Sequence, residues 1–555
     1  MVSQMDALLN HLGNGRWSVL HVITMSFSSI YMPPYIFGGA FLAPRLDYTC
    51  LPSTAAVGPS NASVFFDSAR SSPASNFSSE DKCHYRIDTP GGERIEECVE
   101  FVFDNSTFSS TITSEFNLAC DRAYLQTFFQ STYMFGNLLG SPVSGFLADK
   151  YGRKKIVFPG YVMYMLLGVV SSWLPYLSTI LVARFLMGYL HSINAYTSFV
   201  HGQEVLTPKV RKWFAFDLYI FWAAGTMLYG LLGYLIRDWR LLQTAATLPG
   251  LLVMPVIWMI DESPRWLIVN GRPREALQVL TKVARWHGVD LPPEAEMKAV
   301  LEEQNAEVPV GARQSSVEKV PSSFVAEILV LFRTPQLRTI TLCILFDFLI
   351  VGIVYYGMSL SGTNISDDPF MYIVLCGLMD VPVYLCIGRI MERFGRRVTL
   401  SLCYFIAAVV LLALSVTPDA HSTVIILLAI MGRMAAAAAF QIVLFYSNEL
   451  FPTEVRSRGV GASFVMSCSG GIVTPFITDQ VSAMYPWAPF VVFGVGSSLA
   501  GLGTLLLPET RGQTLPDTVA ELEARAKNRR AGGGGVFAAN TRLPECAQSS
   551  LSQNI

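Results

Sequence analysis

Charge is what this sequence has least of. Only 15% of its 555 residues are Asp, Glu, Lys or Arg, where an average soluble protein carries about 25%. The formal net charge is −2, and no segment is basic enough to hold a polyanion, which excludes nucleic acid as a partner. A Gly-x4-Gly-Lys-Ser/Thr loop that would cradle nucleotide phosphates is missing, and with it an ATP-driven machine. The seven histidines form no nucleophile–base set; His21, His191 and His201 stand singly in apolar stretches, where packing or cavity lining is the ordinary role. Neither an enzyme, nor a cofactor, nor a metal site is expected.

What is abundant is apolar sequence, 52% of the chain, gathered in runs near the ~20 residues needed to cross a bilayer. About twelve such runs lie near 17–42, 123–147, 156–176, 177–199, 213–235, 244–260, 337–359, 369–389, 398–416, 421–445, 460–482 and 487–507. Backbone amides in lipid must be satisfied within the segment, so each is read as a helix, numbered 1 to 12 in that order. The expected fold is an all-α membrane protein of twelve transmembrane helices.

Short polar motifs recur between these runs. Gly145, Asp149, Gly152 and Arg153 of GFLADKYGRKK are echoed, 243 residues on, by Gly388, Glu392, Gly395 and Arg396 of GRIMERFGRR. Glu204, Pro208 and Arg211 are echoed by Glu449, Pro452 and Arg456, and Glu262 of DESPRW by Glu509 of LPETRG. Three echoes in register imply two similarly oriented six-helix halves, 17–260 and 337–507, the layout of one large class of secondary transporters.

Basic residues fix the orientation. Lys150, Arg153, Lys154, Lys155, Lys209, Arg211, Lys212, Arg389, Arg393, Arg396, Arg397, Arg456 and Arg458 all fall in connections of one parity, expected to be cytosolic. The other parity alone carries the glycosylation acceptors Asn61, Asn76, Asn105 and Asn364. Both termini are therefore expected inside, with 1–16 a polar cytosolic N-terminus and helix 1 a retained signal-anchor. Residues 43–122 form an expected extracellular domain whose Cys50, Cys83, Cys98 and Cys120 should make disulfides, with three connectivities open. Cys343, Cys376, Cys386, Cys403, Cys468 and Cys546 are expected to be apolar fillers or tail residues. Residues 261–336 read as a cytosolic linker with short helices, and 508–555 as a tail, disordered from about 525.

GFLADKYGRKK and its echo resemble the loop motif of the major facilitator superfamily. DESPRWL, NELFPTEVRSRGVG, LPETRGQTLPDT and the long loop ending in FNLACDRAYLQ are similar to its organic-ion branch, solute carrier family 22. The resemblance runs from about 17 to 520. It implies a plasma-membrane carrier of small organic ions working by rocker-switch alternating access, in which Asp149, Gly152, Arg153, Glu204, Arg211, Glu262, Glu392, Arg396, Glu449 and Arg456 form gates. Charges there are expected to pair across the two halves when the cavity faces outward; the competing role is anchoring and orientation. Arg184 and Arg433 could join the same network.

Substrate class is sought among ionisable groups inside the helices, which are costly in lipid and so functional candidates: Asp217, Asp347, Asp380 and Asp479. The resemblance singles out Asp380, placed where organic-cation members have a cavity acid in helix 8; the other reading pairs it with Arg433. It also implies cavity roles for Tyr355 and Phe348. Tyr219 with Trp222, and Gln441 with Phe445, share helical faces and are further candidates, as is Gln130; aromatic packing is the alternative. Cys468 stands where cation members carry Asp and anion members Arg, so a zwitterion or weakly polar cation of the carnitine kind is expected, with an organic anion as the alternative. A transporter-like receptor is the other rival. A coupling Na⁺ or H⁺ is possible from sequence, but no sodium site is legible, and Asp261 in DESPRW departs from the family's usual Pro without a functional account.

Overall fold

The computed structural model describes residues 4–51, 83–89, 92–98, 100–291, 329–366, 368–417, 421–513 and 515–531. Each of the twelve apolar runs contains helix. Helix 2 is Tyr124–Tyr151, helix 3 Arg153–Ser171, helix 4 Leu177–Val205, helix 5 Pro208–Leu235 and helix 6 Trp239–Trp258. In the second half, helix 7 is Pro335–Leu360, helix 8 Pro369–Phe394, helix 9 Arg396–Val416, helix 10 Ser422–Leu450, helix 11 Arg456–Pro475 and helix 12 Ala488–Thr504.

Helix 1 is the exception to a continuous rod. It runs as Arg16–Ser28, then breaks into a 3-10 turn and two short turns, Pro33–Ile36 and Gly39–Leu42. Pro33 and Pro34 lack the amide hydrogens that would continue the ladder. Gln130 of helix 2 holds the broken stretch by accepting from Gly39 N at 3.1 Å and donating to Ile36 O. Helix 11 passes after Pro475 into a π-helical turn, Phe476–Val481.

Among the described residues, eight helices are long and apolar enough to cross a membrane. Helices 2 and 4 miss that threshold through composition: Asn137, Ser141 and Ser144 on one, and Arg184, His191, Ser192 and Asn194 on the other, are buried inside the protein. These two helices meet at Gly136 and Gly188, where a β-carbon would lie 2.1 Å from Phe185 O and 2.0 Å from Tyr133 O respectively. Such backbone contact is the usual use of small residues between helices in lipid.

Packing repeats as the sequence does. Helix 2 lies on 4 as 8 lies on 10, and helix 3 on 6 as 9 on 12. The two halves meet through helix 5 on helix 8 and its counterpart, helix 11 on helix 2.

Among its described residues the loop after helix 1 carries four strands, β1 Tyr48–Leu51, β2 His84–Thr89, β3 Gly92–Glu97 and β4 Glu100–Phe103, with β1 antiparallel to β4 and β2 to β3. Its four cysteines pair Cys50–Cys98 and Cys83–Cys120, which resolves the open connectivity. Asn105 is exposed there, Asn364 lies in the turn Gly362–Ile365, and Asn61 and Asn76 fall outside the described residues.

At the opposite end, Gln4–Leu12 is helical and buries Met5, Leu8, Leu9 and Leu12 against Ala276, Leu280 and Val283 of the linker helix Pro273–His287. The tail, expected to lose order from about 525, instead holds the helix Val519–Ala531. Glu523 of that helix accepts from Gln336 N at 2.8 Å, tying it to the start of helix 7.

Candidate functional site

The three repeated motifs converge in each half. Arg153 pairs with Asp149 at 2.9 Å and Glu204 at 2.8 Å, while Glu262 accepts from the amides of Arg153 at 2.9 Å and Lys154 at 3.2 Å. In the second half Arg396 pairs with Glu449 at 3.0 Å, and Glu509 accepts from Arg396 N at 2.9 Å and Arg397 N at 3.1 Å. Each carboxylate thus caps the first turn of helix 3 or 9, where unpaired amides and the helix dipole favour an anion. Gly152 and Gly395 make this possible. Their φ angles are +105° and +91°, and a β-carbon would strike the capping carboxylates at 2.5 and 2.6 Å.

All of these pairs lie within one half. In this conformation none crosses to the other half among the described residues, and no ion pair to Glu392 is found. Arg211 donates to Leu206 O at 3.1 Å, and Arg456 to Phe451 O and Thr453 Oγ1, both at 3.2 Å. Asp261, unexplained in sequence, accepts from Trp17 Nε1 at 2.8 Å and pairs with Lys282 at 2.7 Å, joining helix 1 to the linker helix.

Between the halves lies a cavity of about 670 Å³. It reaches the motif-bearing end, where Asn448, Thr453 and Arg456 line it. Toward the strand-bearing loop the halves are in contact: Thr127 donates to Asp479 at 3.3 Å and Ser131 to Ile472 O at 2.9 Å, both from helix 2 to the end of helix 11.

Five of the expected binding residues line this cavity: Tyr219, Trp222, Tyr355, Phe445 and Cys468. Trp222 donates to the Tyr355 hydroxyl at 2.9 Å, and the Tyr355 ring neighbours Phe440 at 5.5 Å and Tyr356 at 5.6 Å. Tyr384 lies 5.2 Å from Tyr219, ring to ring. Residues that sequence did not single out include Tyr384, Phe440, Tyr196 and Asn137, with His191 noted there only as a solitary histidine. Tyr384 follows Asp380 by one helical turn and Phe440 precedes Gln441, so their faces were readable, but not their inward orientation.

Asp380, Phe348, Gln441 and Gln130 do not line the cavity. Asp380 is fully buried and pairs with Arg433 at 3.1 Å, as in the second of its two readings; the arginine donates also to Ser359 Oγ at 2.9 Å and lies 3.7 Å over the Tyr355 ring. Phe348 stands one layer back, against Phe440 and Phe464. Gln441 is buried with neither amide atom hydrogen-bonded among the described residues. Gln130 accepts from Arg184 at 3.1 Å as well as bracing helix 1. Arg184 and Arg433 are thus buried in the halves and take no part in the Arg153 and Arg396 clusters. Asp347 accepts from Thr504 at 3.1 Å away from the cavity; Asp217 lies in helix 5, with its side chain outside the described residues.

No acidic side chain is found among the described residues lining the cavity, and Arg456 is the charged one. Away from Arg456 at the motif-bearing end, the space is therefore aromatic and neutral-polar. It suits a weakly hydrated onium group, which ring faces attract, better than a small hydrated cation that needs a carboxylate.

Residues 75–520 match the family model described as "Sugar (and other) transporter". The "Organic cation transporter-like protein" of Drosophila melanogaster is 31% identical over 95% of this chain and 94% of its own length. The human "Organic cation/carnitine transporter 2" is 32% identical over 77% of this chain and 74% of its own. Rat "Solute carrier family 22 member 6" is 29% identical over 79% and 78%. Among solved structures, the proton:xylose symporter XylE bound to 6-bromo-6-deoxy-D-glucose superposes with a TM-score of 0.60 at 15% identity, covering 92% of this chain and 99% of that one. That likeness bears on the fold alone.

Proposed function

This chain belongs to the organic-ion branch of the major facilitator superfamily, solute carrier family 22, and from that membership we propose that it carries carnitine-like zwitterions or quaternary ammonium cations by alternating access. Transport of small organic ions across a membrane follows from the family itself; the substrate preference is our reading. One observation carries it: the cavity offers Trp222, Tyr219, Tyr355, Tyr384 and Phe440 but no uncompensated carboxylate among its described lining residues. A zwitterion needs no net countercharge, and its onium end is held by ring faces at about 0.5–2 kcal/mol each.

The Arg153–Glu204–Glu262 and Arg396–Glu449–Glu509 clusters are proposed as the cytosolic gate, and Thr127–Asp479 as part of the outer closure. On this reading the protein sits in the plasma membrane with both termini cytosolic, and Na⁺ or H⁺ coupling is a matter for the assay. An inside-negative potential alone supplies about 2.3 kcal/mol per charge per 100 mV to a cation.

The test is uptake of labelled carnitine, a quaternary ammonium cation and an aromatic carboxylate into expressing cells, with and without Na⁺. Uptake of the first or second supports the proposal; carboxylate-only uptake overturns it. That second reading, organic-anion transport, is favoured by one fact: Arg184 is buried without an acidic partner among the described residues. Trans-stimulation by unlabelled substrate separates a carrier from a receptor.

A further inference from the structure

Among the polar groups lining the cavity, the titratable imidazole of His191 has no part in the proposed mechanism. His191 of helix 4 is 7% exposed and lines the cavity, and its Nδ1 lies 2.9 Å from the Tyr133 hydroxyl of helix 2. Tyr133 in turn lies 3.1 Å from the hydroxyl of Tyr164 in helix 3. Three helices of one half thus contribute to a single chain of hydrogen bonds that ends at the cavity.

The direction of this chain follows from counting hydrogens. If Nδ1 carried the proton and gave it to Tyr133, Tyr133 would donate to Tyr164. The Tyr164 proton would then have no acceptor among the described residues, and an orphaned buried hydroxyl costs about 1–3 kcal/mol. In the reverse order Tyr164 donates to Tyr133, Tyr133 donates to Nδ1, and no proton is left over. Arg184 favours the same order. Its guanidinium lies 4.8 Å over the Tyr133 ring and 4.3 Å over Phe129, so a positive charge sits against the phenol that must donate. The histidine is then the Nε2–H tautomer, and Nε2, which has no partner among the described residues, is its donor toward the cavity.

Resting on the zwitterion reading above, we propose that His191 is the carboxylate-recognising group of this cavity, presenting Nε2–H to the substrate's anionic end while the aromatic faces of helices 5, 7, 8 and 10 take the onium end. Tyr133 and Tyr164 fix the tautomer. Arg184, buried behind them and compensated by no acid, adds a positive potential that acts over distance in a low-dielectric interior. The anionic end would then be read by the first half alone and the onium end by ring faces of both, so that both halves hold the same substrate.

The experiment compares carnitine with choline, which keeps the trimethylammonium group and lacks the carboxylate. Inhibition constants and, where transported, KM are measured at equal surface expression for the wild type, His191→Ala, His191→Gln and Tyr133→Phe. Loss of one hydrogen bond to a charged group corresponds to about a tenfold change, so His191→Ala should weaken carnitine by about tenfold or more and choline by less than about twofold. His191→Gln, which restores an N–H, should recover most of the loss. Tyr133→Phe should weaken carnitine by an intermediate factor, because the tautomer is no longer fixed. An unchanged carnitine-to-choline ratio in variants at the cell surface overturns the proposal while leaving zwitterion transport standing. A wild type that recognises choline but not carnitine overturns both. Should His191→Ala fail to reach the surface, the glutamine and Tyr133 variants carry the same comparison.

Discussion

Arg433 lies over the Tyr355 ring, 3.7 Å from guanidinium carbon to ring centroid, while pairing with Asp380 at 3.1 Å. The charge that sequence offers as a cation-selecting carboxylate is thereby spent inside the protein, and what reaches the cavity is the tyrosine beneath the pair. Asp380 and Arg433 shape the site by holding that ring.

Removing one partner of this pair should therefore damage the fold before it alters selectivity. Asp380→Asn leaves a buried uncompensated guanidinium, a loss of about 3–5 kcal/mol. The expected outcome is lower surface expression and a lower Tm of the solubilised protein. Asp380→Asn combined with Arg433→Gln should recover part of the Tm. A single Asp380→Asn variant that keeps its Tm and surface level but loses cation uptake would instead assign the carboxylate to substrate.

Trp222 and Tyr355 come from different halves and share a 2.9 Å hydrogen bond. Trp222→Phe keeps a ring face but loses the donor, and should raise KM by about three- to tenfold, the equivalent of about 1 kcal/mol. Trp222→Ala should cost more, since the ring face goes as well. Equal effects of the two substitutions would remove the ring from substrate contact.

Glu262 and Glu509 occupy matching places, each capping one helix beneath a positive-φ glycine. Glu262→Gln and Glu509→Gln should give the same phenotype: near-normal surface expression with exchange slowed by about tenfold or more, read as initial rates of trans-stimulated uptake. Divergent phenotypes would show that the two clusters are not equivalent gates.

On the strand-bearing side, Glu115 accepts from Trp239 Nε1 at 2.8 Å and pairs with Arg240. Partial burial would raise its pKa, but the hydrogen bonds from Arg240 and Trp239 and the Arg240 charge outweigh that and hold it below its ordinary 4.5. A carboxylate depressed in the folded state stabilises above its unfolded pKa, and that contribution is lost as pH falls through the folded value. The Tm difference between wild type and Glu115→Gln should accordingly be present at neutral pH and shrink below about 4.5. A difference independent of pH would show that the carboxylate's charge is not what matters.

The sequence by itself determined the twelve apolar runs, each of which contains helix, the division into two halves and the repeated charged motifs, because bilayer length, helical periodicity and motif spacing are local properties of the chain. The break in helix 1 was half legible: Pro33 and Pro34 announce it, but Gln130, which holds it, is far along the chain. Tertiary structure alone decided what each buried polar group faces. Asp380 and Arg433 are 53 residues apart, and His191, Tyr133 and Tyr164 sit on three helices. A period of 3.6 residues defines a face; which neighbour meets it depends on helix rotation and tilt, set by the packing of the whole bundle. The cysteine pairing was decided in the same way, since four cysteines in sequence do not specify which strands bring them together.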